Sequence, residues 1–160
     1  MPHMPANLAF MELALQLATE NVVSGAGGPF GTVVVKDGAV LATGANSVTV
    51  ANDPTAHAEV VAIRNACQQL GSFQLDGCEI YTSCEPCPMC LGAIYWARPA
   101  AVYYANTHVD AANAGFDDSF IYTELPLPPE QRKLPMHHIE IANADECFQR
   151  WKQSQKKVEY

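Results

Sequence analysis

The sequence predicts an α/β sandwich with a largely parallel sheet. Short runs rich in valine, isoleucine and threonine alternate with longer stretches of helical period. A tight-turn signal, Lys36-Asp37-Gly38, separates the first two apolar runs. The chain has 160 residues and is 49% hydrophobic, which suits one domain with one sizeable core. Residues 1–160 are therefore read as a single domain.

Each element follows in order. From Asn7 to Val23, Leu8, Met11, Leu15, Ala18 and Val22 recur at helical spacing. Ser24 to Gly31 is a glycine-rich loop. It lacks the Lys-Ser/Thr ending of a phosphate-binding loop, so it reads as a tight turn or a close backbone approach to a ligand. Thr32–Val35 and Val40–Thr43 form a hairpin. Pro54 opens a second helix, with Val60, Ile63, Cys67 and Leu70 as its buried stripe and Gly71 as its stop. Cys78–Ser83 is a strand. Pro86 begins a third helix that runs to about Ala97 and ends before Pro99. Ala101–Ala105 is a short strand. His108 to Phe120 reads as a loop with a short helix. Leu125–Pro135, with four prolines, reads as an extended linker or hinge. His138–Ile141 is a last strand and Ala144–Lys157 a last helix.

Composition narrows the function. The formal net charge is -8. An acidic surface repels phosphate backbones, so no nucleic-acid polymer is expected as partner. Arg150, Lys152, Lys156 and Lys157 form the one basic cluster, which reads as a solvated helix face. No apolar run approaches the ~20 residues of a membrane span. Glu12, Gln16 and Glu20 interrupt the first apolar stretch, which does not read as a secretory signal. The cysteines are Cys67, Cys78, Cys84, Cys87, Cys90 and Cys147. With a Cys-x-x-Cys pair and no secretory signal, metal binding is the better reading, and the expected location is cytoplasmic.

The chemistry is concentrated in two stretches. His57-Ala58-Glu59 precedes Pro86-Cys87-Pro88-Met89-Cys90. Two thiols and one imidazole can hold a zinc ion and leave a fourth position open for water. A carboxylate two residues after the imidazole can then handle protons. His-x-Glu followed by Pro-Cys-x-x-Cys is a general signature of zinc deaminases acting on nucleobases. Cys87 and Cys90 share a helix face, but His57 and Glu59 do not. Both can reach one metal only if the first turn of their helix points at it end-on. Two helix N-termini are therefore expected to converge on the ion, where their positive ends favour thiolate. An alternative stays open. Cys84 could be a fourth ligand, which would make the site closed and structural and leave Glu59 without a role.

The chain resembles the zinc-dependent guanine deaminases of the cytidine-deaminase-like superfamily. The resemblance runs nearly end to end and rests on Gly27–Gly31, Asn52–Glu59, Tyr81–Cys90 and Ala114–Phe120. The second and third stretches are shared in outline with tRNA adenosine deaminases. Gly115–Asp118 and the terminal Glu159-Tyr160 separate the chain from those. The resemblance implies a three-layer α/β/α fold with a five-stranded mixed sheet, one zinc per chain, and a homodimer in which the C-terminal segment can be exchanged.

It further implies hydrolysis of guanine to xanthine and ammonia, a purine-catabolic reaction, with His57, Cys87 and Cys90 on the metal and Glu59 carrying protons. Asp118 and Asn46 would hydrogen-bond the base, Phe30 and Trp96 would wall the ring, and Tyr160 would cover the site. A carboxylate suits the N–H donors of guanine, and an amide suits its ring nitrogens and O6. Read without the resemblance, the favoured roles are a turn residue for Asn46, core aromatics for Phe30 and Trp96, and a helix cap for Asp117 or Asp118. The competing functions are a guanosine deaminase, a tRNA adenosine deaminase and a non-enzymatic zinc-stabilised module.

Overall fold

In the computed structural model, which describes residues 5–160, Gly31–Lys36 (β1) and Ala39–Ala45 (β2) form the expected hairpin. Asp37 and Gly38 close it, both at positive φ (51° and 75°), as a two-residue turn matched to strand twist requires. Leu8–Val23 (α1) precedes the hairpin, with Asn7 as its N-cap. Val48–Ala51 (α2) is a single turn, and Ala58–Leu70 (α3) ends at Gly71 in the left-handed region. Cys78–Cys84 (β3), Pro88–Ala97 (α4), Ala101–Asn106 (β4) and His108–Asn113 (α5) complete the first of two units, which ends at Asp118.

Among the described residues the sheet has four strands, not the five the resemblance implies, in the order β2-β1-β3-β4, and it is mixed. The largely parallel sheet is thereby corrected. β1 is antiparallel to both neighbours, and only β3 and β4 are parallel. The hairpin fixes the first pairing. α3 then carries the chain past β1 to its far side, so β3 runs with β2 but against β1. Both β2-α3-β3 and β3-α4-β4 are parallel crossovers, but only the second joins adjacent strands.

Alternation along the strands sends side chains into two cores. Val33, Val35 and Tyr81 pack with Ala14 of α1. Val34, Ile80 and Ala42 pack with Ala62 and Ala66 of α3 and with Ile94 and Ala97 of α4. The result is three layers, α/β/α. The buried face of α3 differs from the expected stripe: it consists of Ala58, Glu59, Ala62 and Ala66, while Ile63, Cys67 and Leu70 pack at the margin. Close approach is the reason. A Cβ on Gly44 would lie 2.4 Å from both the Ala58 carbonyl oxygen and the Ala62 amide nitrogen. Only small side chains fit between helix and sheet at that distance. α1 follows the same rule over Gly31, burying Ala14 and Ala18 while Leu8 points outward.

Both site helices start later than their prolines suggest. Pro54 sits in a turn held by Asp53, whose carboxylate accepts from the backbone and hydroxyl of Thr55. α3 begins four residues on, with His57 as N-cap. α4 begins at Pro88 rather than Pro86, with Cys87 as N-cap. A proline suits the first helical position because that N–H has no helical partner.

The second unit, Ser119–Tyr160, holds Ser119–Glu124 (α6), a 3-10 turn at Pro129–Gln131 and Glu146–Gln153 (α7). The proline stretch is not extended throughout: Arg132 donates to the Leu125 and Leu127 carbonyls and folds it back on itself. His138–Ile141, expected as a fifth strand, forms none, and Ile139 and Ile141 are exposed. A strand needs a ladder partner for its backbone groups, and no described residue provides one. α7 is shorter than expected. Arg150 pairs with Glu146 one turn back, which fits the solvated-face reading of the basic cluster. Among the described residues no helix is long and apolar enough to cross a membrane.

Candidate metal centre

The ends of β2, β3 and β4 and the start of β1 lie at one edge of the sheet, and the loops leaving them build the site. Two helix N-termini meet there, as the motif spacing requires. His57, as N-cap of α3, is extended (φ -68°, ψ 154°), so its ring leaves the helix axis instead of lying along a face. Cys87, as N-cap of α4, is likewise extended, and its sulfur accepts from the Cys90 amide at 3.5 Å. The Nδ1 atom of His57 lies 3.5 Å from both Cys87 Sγ and Cys90 Sγ. Zn–S bonds of about 2.3 Å and a Zn–N bond of about 2.0–2.1 Å at a tetrahedral angle set sulfur and nitrogen about 3.5 Å apart. The spacing and the donor set both fit zinc.

The thiols are unequal. A hydrogen bond from Cys90 and the neighbouring His57 ring pull the Cys87 thiol down to about 4. The same Cys90–Cys87 bond, together with burial, pushes Cys90 upward. The hydrogen bond to Cys87 also raises the His57 imidazole. Cys84 stands apart. Its Sγ donates to the Thr107 carbonyl at 3.5 Å, and burial pushes its thiol up to about 11. Among the described residues the metal-ligating group consists of His57, Cys87 and Cys90, without Cys84. The closed four-ligand alternative therefore has no support in this geometry.

Glu59 lies beside the cluster in the first turn of α3 and is 5% exposed. One oxygen, Oε2, accepts from Cys90 Sγ at 3.4 Å, and the other, Oε1, accepts from Thr82 Oγ1 at 3.3 Å. Burial raises its carboxyl above the ordinary range. A carboxylate of this kind holds a proton more readily than an exposed one.

The base-contact candidates divide into two groups. Asn46, Phe30 and Asp118 are brought to the site edge. The Asn46 amide donates to the Phe30 carbonyl at 3.1 Å, and the next residue, Ser47, donates to the carbonyl of Ala56, next to His57, at 3.0 Å. The Asn46 carboxamide oxygen accepts from Gly28 and Val48 at 3.4 Å. Phe30 meets Phe116 edge to face at 5.0 Å, which ties the Gly115–Asp118 stretch to the glycine-rich loop. Burial raises the Asp118 carboxyl, and the Cys87 thiolate raises it further. Trp96 is 62% exposed and lies off the Cys90–Ile94–Ala97 face of α4. Tyr160 belongs to the second unit, where it is exposed.

Several site residues escaped the sequence reading. Asn21 donates to the carbonyls of Gly28 and Asn46, both at 2.8 Å, and holds the glycine-rich loop. Ser83 accepts from the Gly31 amide, and Asn106 donates to the Ser83 carbonyl. Glu85 accepts from the backbone and ring of His108 at 3.0 and 2.8 Å. Thr32 and Thr82 lie behind Glu59. Asn21 lies in the last turn of α1; the common signal of the others is a polar side chain inside or just after an apolar strand.

Residues 4–106 match the cytidine and deoxycytidylate deaminase zinc-binding region. The chain belongs to this family of zinc-binding deaminases. The deaminase is 60% identical over 151 residues to the guanine deaminase of Bacillus subtilis (strain 168), covering 94% of this chain and 97% of that protein. A crystal structure of guanine deaminase from Bacillus subtilis matches with a TM-score of 0.95 at 58% identity, covering 97% of this chain and 99% of that one. The tRNA-specific adenosine deaminase of Aquifex aeolicus is 40% identical over 134 residues, covering 84% of the deaminase and 87% of that protein. The family's metal is zinc, and His57, Cys87 and Cys90 bring the ligand atoms for it together.

Proposed function

We propose that this deaminase hydrolyses guanine to xanthine and ammonia, in the cytoplasm, as a step of purine salvage or catabolism. One observation carries the reading. A buried glutamate stands 3.4 Å from a sulfur of the three-ligand cluster, in a chain similar over nearly its whole length to the Bacillus subtilis guanine deaminase. Zinc bound by His57, Cys87 and Cys90 would lower the pKa of water and supply a nucleophile at neutral pH.

The remaining work falls to side chains. In the overall reaction the oxygen of water joins C2, the C2–N bond breaks, and the nitrogen leaves as ammonia. Glu59 takes the first proton that water gives up and delivers it to a ring nitrogen, then takes the proton of the added hydroxyl and delivers it to the departing amine. Asp118 accepts from the N–H groups at N1 and N2 of the base, and Asn46 serves a ring nitrogen and O6. Phe30 and Trp96 wall the ring. Tyr160 covers it, which favours the free base over guanosine.

The 160 residues act as one deaminase domain. The second unit is exchanged in a homodimer, so that Tyr160 reaches the partner's site. The exposed Ile139 and Ile141, in a stretch that forms no strand among the described residues, and the exposure of Trp96 support that arrangement.

Ammonia release across guanine, guanosine, cytosine, cytidine, adenine and adenosine tests the proposal, with guanine expected to lead by kcat/KM. The likeness to the Aquifex aeolicus enzyme motivates a second reading, deamination of adenosine in tRNA. The net charge of -8 weighs against it, because neutralising phosphates requires a basic surface. Inosine appearing in tRNA, with no ammonia from guanine, would select it.

A further inference from the structure

Two hydroxyls stand in line behind the Glu59 carboxylate. Thr32 and Thr82 are directly opposed across β1 and β3. Thr32 Oγ1 donates to Thr82 Oγ1 at 3.0 Å, and Thr82 Oγ1 donates to Glu59 Oε1 at 3.3 Å. All three side chains are buried. A buried hydroxyl is costly without a partner, and valine, of nearly the same shape, fills the next three positions of β1. The threonine pair therefore needs a reason beyond packing. Each hydroxyl owns one proton. Thr32 spends its proton on Thr82, so the proton of Thr82 is directed onward to Oε1. The other oxygen, Oε2, faces Cys90 Sγ at 3.4 Å, on the side of the metal ligands. The two oxygens of Glu59 are thus chemically distinct.

We propose that Thr82, backed by Thr32, is a positioning residue for the deamination: it occupies Oε1 and fixes the plane of the carboxylate, so that Oε2 is the oxygen that takes and returns protons. The proposal rests on the reading of Glu59 as proton carrier. A group that accepts a proton in one step and delivers it in another must present the same oxygen to the reacting atoms throughout. A carboxylate free to turn about its last bond would meet that requirement only part of the time. The threonines carry no proton themselves; they hold the group that does.

Three variants test this. Thr82→Val removes the donor and keeps the shape. Thr82→Ser keeps the donor. The double variant Thr32→Val with Thr82→Val removes both partners and strands no buried hydroxyl. Misplacing a reacting group should lower kcat roughly 10–100-fold in Thr82→Val, with KM within about twofold, while Thr82→Ser stays within about threefold of wild type. Zinc content should not change. The double variant should regain Tm but not kcat. Crystal structures of the valine variants should show the Glu59 carboxylate turned or in two orientations, with His57, Cys87 and Cys90 in place. Wild-type kcat in Thr82→Val, recovery of kcat in the double variant, or an unmoved Glu59 carboxylate overturns the proposal. If another amine leads the substrate panel, the same ratios are read with that amine, so the guanine assignment can fail alone. If Glu59→Gln retains turnover, the proton-carrier reading fails and the positioning role falls with it.

Discussion

Glu59 and Cys90 lie 31 positions apart in sequence, yet Glu59 Oε2 sits 3.4 Å from Cys90 Sγ. Both belong to first turns, of α3 and α4, and the two turns meet at the His57–Cys87–Cys90 cluster. A carboxylate buried this deeply is costly to charge, and its place beside the sulfur of Cys90 is what the proposed proton transfer requires.

Glu59→Gln should therefore keep zinc and fold while losing nearly all turnover. The amide can still hydrogen-bond a water but cannot take its proton. General acid-base groups contribute ~10²–10⁴-fold, and Glu59 is asked to make several transfers. Metal analysis and kcat for guanine check this. Activity within about a factor of ten of wild type removes Glu59 from the mechanism.

Cys84→Ser should leave close to one equivalent of zinc per chain, whereas Cys87→Ser and Cys90→Ser should each lose most of it. The Cys84 sulfur is bonded to the Thr107 carbonyl and lies outside the ligand group. A serine hydroxyl can keep that bond. Loss of zinc on Cys84→Ser would restore the closed, structural site as the better description.

The clustering of His57, Cys87 and Cys90, with Glu59 beside them, was legible because its signal is local. His57, Glu59, Cys87 and Cys90 sit within two or three residues of one another in pairs, and helix geometry converts such spacing into direction. Thr32 and Thr82 were not legible, since their contact depends on strand register across 50 positions. The alanine face of α3 was missed for a related reason. Hydropathy ranks Val60 and Ile63 above Ala58 and Ala62, but Gly44 sets a helix–sheet distance that only alanine tolerates. His138–Ile141 alternates like a strand, but alternation reports a half-buried surface, not a partner for the backbone.

Gly44→Ala should be destabilising by ~1–3 kcal/mol, because the new methyl meets backbone atoms of α3 at 2.4 Å and the helix must move. α3 carries both His57 and Glu59, so zinc affinity and kcat should fall with stability. Urea unfolding with unchanged midpoint, together with wild-type zinc affinity, would show that the helix–sheet spacing is softer than argued.

His108 and Glu85 provide a pH signature outside the metal ligands. The Glu85 hydrogen bond raises the His108 imidazole above its ordinary 6.5, and the His108 backbone amide and ring lower the Glu85 carboxyl below its ordinary 4.5. The raised histidine contributes stability in full below 6.5 and loses it as pH climbs through its folded value. The lowered glutamate contributes above 4.5 and loses it as pH falls through its folded value. The pair should therefore hold best between these limits. An NMR titration should find His108 above 6.5 in wild type and nearer 6.5 in Glu85→Gln. Identical titrations would mean that the contact does not persist in solution.

Deleting Glu159 and Tyr160 should cut guanine turnover strongly while leaving zinc content and Tm nearly unchanged. The structural loss is small: Glu159 pairs with Lys157 at the surface at 3.6 Å, a type of contact worth ~0–1 kcal/mol. The expected functional loss is large because the tail carries the aromatic ring of Tyr160 and the carboxylate of Glu159. Such groups can close a small apolar pocket and exclude water while charge develops in it. Terminal residues are often dispensable, so the outcome discriminates. On the proposed closure, specificity should respond too, since a pocket covered by Tyr160 would leave little room for ribose. Truncation should therefore narrow the gap between guanine and guanosine in kcat/KM as it lowers the guanine rate. A truncated enzyme with wild-type kcat and KM for guanine would reduce the tail to an ordinary chain end, and with it would go the structural argument for the free base.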